Sequence, residues 1–325
     1  MINIGIIGLG KMGIIRAQAI KESSLGTVLL GYDTKPNNCN IVFAKSVEEI
    51  ILNKDIDAIF ICTPNYLNKS LTIKSLEAGK HVFCEKPPAF CAQDVIEIQN
   101  VEKLSRKKLM YGFNHRHHQS IQHIKQFIET NKYGKILWMR GRYGKSVDQS
   151  FFDSWRAKKE FAGGGILLDQ GIHMLDLFLY LGEDFDEVQA MVSNLYWGLE
   201  IEDNVFATVR NSRTGLVASL HSTMTQWRHL FSLEVFFERG YCVLNGLRTT
   251  SQTYGDEVLT YAKNRTTAPA ATWEDEEHIT FHEDKFWNSE VNIFLQAIRD
   301  NSSIPIGNSE DALRLMKIID KIYIK

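Results

Sequence analysis

Ile2-Asn3-Ile4-Gly5-Ile6-Ile7-Gly8-Leu9-Gly10-Lys11-Met12-Gly13 opens the chain with an apolar run that breaks into glycines. The run has no basic start, so it reads as a first strand and not as a secretory leader. Gly8, Gly10 and Gly13 then form a G-x-G-x-x-G directly after that strand, at the start of a helical pattern beginning with Lys11 and Met12. A dinucleotide needs this order, because glycines permit a tight turn and close backbone approach while the pyrophosphate sits on the helix N-terminus. Asp33 follows Gly13 by 20 residues at the end of a second strand, where a carboxylate accepts hydrogen bonds from the adenosine ribose. That acid favours NAD over NADP, and Lys35 nearby leaves NADP open. The competing reading is a glycine-rich strand-to-helix turn with a solvated aspartate.

Working outward, the chain to about His115 alternates short apolar strands with amphipathic helices, the pattern of a doubly wound parallel sheet. Strands are expected at Ile2 to Ile7, Val28 to Tyr32, Ala58 to Cys62, His81 to Cys84 and Leu109 to Gly112. Helices are expected at Lys11 to Lys21, Val47 to Leu52, Asn68 to Ala78 and Ala92 to Ser105. After a helix near Ile121 to Thr130 the texture changes to longer β-branched and aromatic runs separated by turns, which predicts an open, mainly antiparallel sheet. Its strands are expected at Ile136 to Lys145, Glu187 to Leu195, Asn204 to Arg210, Leu216 to Thr223, Ser232 to Phe237 and Glu257 to Tyr261. Helices at Phe286 to Asp300 and Ser309 to Ile322 close the chain. The class is α/β, with a Rossmann domain over 1–119 and a second α/β domain over 120–304.

Length and composition agree with two packed domains. The chain has 325 residues, 44% hydrophobic and 23% charged, and its 37 basic and 39 acidic residues leave a net charge of -2. That balance gives no global attraction to nucleic acid or to an anionic membrane. No apolar stretch approaches the roughly 18 residues of a membrane helix, so a soluble protein is expected. The five cysteines form no C-x-x-C pair, and a reducing cytoplasm is the simplest compartment.

Three further segments carry chemistry. In His81-Val82-Phe83-Cys84-Glu85-Lys86-Pro87-Pro88 a strand ends in a charged pair, and ligands of doubly wound sheets bind beyond the carboxyl ends of strands. Lys86 there would stabilise negative charge on a reacting oxygen; a surface Glu-Lys pair before a turn is the alternative. Trp155-Arg156 precedes Gly163-Gly164-Gly165 and then Asp169, His173 and Asp176, whose spacing places the three on one face of a helix. Histidine suits proton exchange with a sugar-like hydroxyl near neutral pH, and Asp169 would orient the imidazole. A capped helix with a polar face fits the same spacing. Asp169, His173 and Asp176, or His115, His117, His118 and His123, offer metal ligands, but neither set matches a zinc signature, and no metal is expected.

Taken together, these motifs resemble the Gfo/Idh/MocA family of oxidoreductases over nearly the whole chain. The resemblance implies an N-terminal Rossmann domain and a C-terminal domain whose sheet makes a homodimer or homotetramer, with a last helix, about 305–325, packing back on the first domain. It implies that Gly8, Gly10, Gly13 and Asp33 hold the nucleotide, that Thr63-Pro64-Asn65 lies beside the nicotinamide ribose, and that Glu85-Lys86-Pro87 is the Glu-Lys-Pro motif, with a cis bond before Pro87. Lys86, Asp169 and His173 are then the catalytic residues and Trp155-Arg156 an aromatic-arginine pair near the cofactor; Arg116 joins Trp155, Lys86, Asp169 and His173 as a substrate contact. The expected activity is NAD-dependent hydride transfer at a hydroxyl-bearing carbon of a sugar, cyclitol or nucleotide-linked sugar. Redox-neutral glycoside cleavage with bound NAD, and a non-catalytic NAD-binding regulator, are the alternatives. Asn68 and Asn114-His115-Arg116 depart from the family pattern, which commonly carries a histidine and an Asn-Arg-Arg segment there.

Overall fold

The computed structural model of the chain describes residues 1–35, 39–282 and 285–324. From the N-terminus the elements are β1 (Ile2–Ile7), α1 (Lys11–Ser23), β2 (Gly26–Tyr32), α2 (Val47–Leu52), β3 (Ala58–Ile61), α3 (Asn68–Glu77), β4 (His81–Glu85), α4 (Ala92–Ser105) and β5 (Leu109–Gly112). There follow α5 (Gln119–Glu129), β6 (Ile136–Gly144), the single turns α6 (Gln149–Phe152) and α7 (Lys159–Ala162), and α8 (Ile172–Leu181), which continues from a π-helical turn at Leu167–Gly171. Strands β7 (Glu187–Ser193), β8 (Asn204–Arg210), β9 (Val217–Thr223), β10 (Leu230–Phe237), β11 (Gly240–Asn245), β12 (Glu257–Lys263) and β13 (Glu277–Phe281) precede α9 (Phe286–Arg299) and α10 (Ser309–Tyr323).

The chain divides into two compact units. The first comprises Met1–Asn114 and Lys285–Lys317. Its five strands are all parallel, in the order β2-β1-β3-β4-β5. β3 and β5 are buried throughout, as apolar strands must be when helices cover both faces. The order reverses between β1 and β3, so their carboxyl ends lie side by side at a topological switch point. One hydrophobic core joins Ile4 and Ile6 of β1, Phe60, Phe83 and Met110 to Val291, Phe294 and Leu295 of α9. Helix α9 therefore packs with the N-terminal sheet, whereas sequence reading had grouped it with 120–304. Its apolar stripe fits this core, a match that periodicity along the chain does not reveal.

The second unit comprises His115–Asp284 and Ile318–Lys325. Its eight strands run β13-β12-β11-β10-β6-β9-β8-β7, antiparallel except for the parallel pair β6 and β9. Alternation is plain in β8, where Val205, Ala207 and Val209 are buried and Phe206, Thr208 and Arg210 face outward. Helix α8 is apolar almost all round and, apart from Tyr180, buried throughout. Two strands escaped the sequence reading. β11 follows the tight turn at Glu238-Arg239, and β13 is a short, largely exposed edge strand with little apolar signal.

Candidate functional site

In the first unit, β1 is followed by Gly8, whose φ of 94° is left-handed and whose added Cβ would meet the Cys62 carbonyl oxygen at 2.5 Å. At Gly13 a Cβ would fall 2.0 Å from the Gly8 carbonyl oxygen, so α1 can pack this closely on the turn only with glycine there. Gly10, by contrast, faces open space. Gly10 is also the N-cap of α1 and offers no side-chain cap to the first-turn N–H groups, which begin at Lys11 and Met12. Asp33 lies just beyond β2, where its Oδ2 accepts from Leu9 N at 2.8 Å and its Oδ1 from Lys35 N at 3.0 Å. The open glycine, the uncapped N–H groups and the adjacent carboxylate fit a nucleotide's pyrophosphate and ribose.

Next to this turn, Thr63-Pro64-Asn65 leads from β3 into a 3-10 turn, Asn65–Leu67. Thr63 Oγ1 donates to Asn68 Oδ1 at 3.3 Å, and Asn68 Nδ2 donates to the carbonyls of Glu85 and Pro87 at 3.1 and 2.8 Å. The fully buried Asn68 thus ties the Thr-Pro loop to the Glu85-Lys86-Pro87 segment, whose Lys86–Pro87 bond is cis. A histidine at this position could not donate to two carbonyls from a single nitrogen. Lys86 is half-buried at the end of β4. Glu85, which sequence reading set beside Lys86 toward the ligand, instead accepts from Arg16 Nε at 2.7 Å. Arg16 Nη1 lies 2.6 Å from Glu290 Oε2, and the guanidinium sits over the rings of Phe83 and Trp287. Arg16 and Glu290 went unnoticed in the sequence, although each is a charged residue within an apolar helix face.

In the second unit the three residues expected on one helical face have different neighbours. Residues 167–171 wind as a π turn, which moves Asp169 out of the α-helical register assumed from its spacing. Asp169 Oδ2 pairs with Lys145 Nζ at 2.9 Å, and Arg156 Nε stands 3.7 Å from Oδ1. The Arg156 guanidinium lies over the Trp155 ring, 4.4 Å from its centroid. His173 is buried in the first turn of α8 and stacks on His115, with ring centroids 3.9 Å apart. Asp176 receives two hydrogen bonds from Arg116, at 2.8 and 2.6 Å. Arg116 is itself buried in this bidentate pair, a geometry that anchors α8.

The glycines before α8 serve the backbone. Glu202 accepts from Gly165 N at 2.8 Å and Leu167 N at 3.0 Å, and a Cβ on Gly165 would meet the Glu202 carbonyl oxygen at 2.0 Å. Burial raises the Glu202 carboxyl above its ordinary value, partly offset by these N–H groups and the Tyr323 hydroxyl. Near Asp169, burial and the Lys145 charge hold His229 below its ordinary value, with Asp169 acting in the opposite direction. Two of the histidines of 115–123 are buried and bonded within the fold. His115 Nε2 bonds to the Tyr143 hydroxyl and His118 Nδ1 to Glu257, each at 2.9 Å. Among the described residues no group of three or more His, Cys, Asp or Glu is arranged to hold a metal ion.

Comparison with known proteins places both units. Residues 2–113 match the family described as an oxidoreductase family with an NAD-binding Rossmann fold, and residues 121–243 match the GFO/IDH/MocA C-terminal domain. The chain is 36% identical over 146 residues to levoglucosan dehydrogenase of Pseudarthrobacter phenanthrenivorans, covering 44% of this chain and 37% of that protein. It is 27% identical over 269 residues to myo-inositol 2-dehydrogenase of Thermotoga maritima, covering 78% of each. The matched stretches span 37%, 53% and 54% of the length of three such relatives. A solved levoglucosan dehydrogenase in complex with NADH and levoglucosan shares the fold, with a TM-score of 0.85, 23% identity, and coverage of 99% of this chain and 96% of that one. With the nucleotide-binding half and the C-terminal half matched to one family, the chain belongs to the Gfo/Idh/MocA oxidoreductases.

Proposed function

We propose that the protein is an NAD-dependent oxidoreductase acting at a hydroxyl-bearing carbon of a sugar, cyclitol or nucleotide-linked sugar. The observation that carries this reading is His173, a buried imidazole in the first turn of α8, four residues beyond a carboxylate already paired with a cation. Gly8, Gly10, Lys11, Met12 and Gly13 would hold the pyrophosphate and Asp33 the adenosine ribose, with Thr63, Pro64 and Asn65 beside the second ribose. When bound, the nicotinamide supplies the hydride acceptor or donor.

His173 takes the hydroxyl proton on an imidazole nitrogen in oxidation and returns it in reduction. Lys86 places positive charge at the reacting oxygen. Asp169 stabilises the charged imidazole, and Lys145 and Arg156 orient that carboxylate. Trp155 offers its ring to the sugar, and Arg116 acts through Asp176 to hold the helix. The relatives named for levoglucosan and myo-inositol support cyclic polyols as the substrate class. A homodimer or homotetramer through the second sheet is supported by its outer face. There the half-exposed rings of Trp138 and Phe236 stack at 4.1 Å, and those of Phe206 and His221 at 3.9 Å.

The test is a fluorescence titration with NADH and NADPH, followed by a screen of anhydrosugars, inositols and nucleotide sugars for absorbance change. Tight NADH binding with turnover of a cyclic polyol is the expected result. Failure to bind either nucleotide would overturn the reading at its first motif.

A further inference from the structure

His115, just before the bidentate Arg116, has a specific setting in the second unit. Its ring lies nearly flat on His173, with an interplanar angle of 19° and a centroid separation of 3.9 Å. The ring is also held by hydrogen bonding, since His115 Nε2 lies 2.9 Å from Tyr143 OH. The Tyr143 ring meets that of Tyr254 edge-on with centroids 5.4 Å apart, and Tyr254 OH donates to Gln170 Oε1 at 2.8 Å.

Gln170 Oε1 can only accept, so Tyr254 spends its proton there. Tyr143 and His115 are almost fully buried, so neither ring can turn without losing its hydrogen bond in an environment where no water replaces it. Gln170 itself lies next to Asp169 in the π turn that leads into the helix of His173.

We propose that His115 is a positioning residue, held by its hydrogen bond to Tyr143, and that its stacked ring sets the plane of the His173 imidazole. The proposal rests on the reading of His173 as the acid-base group. A proton acceptor must meet the hydroxyl proton in the plane of its ring, and a ring free to rotate spends little time in that geometry.

The experiment uses the full chain with NADH bound and histidine labelled with carbon-13 at the ring, without substrate. The His173 signal is assigned by its loss in His173→Ala. Stacking predicts a His173 ring-proton signal displaced upfield and sharp in the wild type and in His115→Phe, and moved downfield in His115→Ala. With the best polyol of the screen, His115→Ala is expected to lower kcat about tenfold or more, leave KM for NAD unchanged, and be largely rescued by His115→Phe. Tyr143→Phe, which frees the His115 ring, should fall between them. An unmoved His173 signal in His115→Ala, or a His115→Phe as slow as His115→Ala, overturns the proposal. Near-wild-type turnover by His173→Ala instead removes the acid-base reading, and the spectra still decide whether His115 fixes the ring.

Discussion

Arg16 Nε donates to Glu85 Oε1 at 2.7 Å across 69 residues of sequence, inside the first unit. With Glu290 on its other side, Arg16 is a single buried cation between two carboxylates, and their charges raise its pKa against the opposing effect of burial. Gly112 makes room for the group, since a Cβ there would come 2.8 Å from Glu85 Oε2 and 3.1 Å from Arg16 Nη2. Arg16→Met removes the cation shared by two buried carboxylates and should cost about 3–5 kcal/mol, read as a lower urea midpoint. A midpoint unchanged from wild type would mean that the cluster contributes nothing to the folded state. Gly112→Ala should be destabilising in the same direction.

Asn68 connects the loop after β3 to the carbonyls of Glu85 and Pro87 through one amide. Asn68→Ala strands those buried acceptors and should lower stability by about 1–3 kcal/mol. Asn68→Asp, which has no N–H to give them, should be no better, and thermal melting of the two variants side by side checks this.

Asp33 sits where an adenosine ribose would lie and already holds Leu9 N. Asp33→Ala should weaken NADH binding about tenfold or more and raise the relative affinity for NADPH, because a repelling charge is removed. Fluorescence titration measures both, and an unchanged preference would assign ribose recognition to another group.

His173→Ala should reduce kcat at least about a hundredfold with little change in NADH affinity, the signature of a group acting in the chemical step. Steady-state kinetics on the polyol found by screening decides it. A comparable loss in nucleotide affinity would point to damage elsewhere.

His81 supplies a pH test. Burial, reinforced by Lys107 and Lys108, lowers its pKa from 6.5 to about 4, and its Nδ1 accepts from Lys108 N at 3.0 Å. The folded state holds the ring neutral while the unfolded chain protonates near 6.5, so the unfolded state binds more protons as the pH falls. The stabilising contribution is therefore full above about 6.5 and is lost progressively from there down to about 4. His81→Asn, whose carbonyl oxygen can accept the same N–H without titrating, should flatten the stability profile in that window. Urea midpoints across the range measure the slope, and an identical slope in the variant would relocate the titrating group.

What lies within a few residues along the chain was legible in the sequence. The strand-turn-helix at Gly8 to Gly13, Asp33 beyond β2, the exact spans of β1, α2, α4, β5 and β8, and the presence of a helix carrying His173 all follow from local periodicity and from glycines at a close approach. The edge strand β13 and the turn-bound β11 were missed because a half-exposed strand leaves a faint pattern. The sequence by itself determined the α/β class and the strand-turn-helix of Gly8 to Gly13. Only the tertiary structure decided that Glu85 and Glu290 share Arg16, that Asp169 answers to Lys145, and that His115 lies flat on His173. A charge on an apolar face announces that it must find a partner, because burying it alone is too costly. Which partner it finds depends on long-range packing, and spacing along the chain carries no record of that choice.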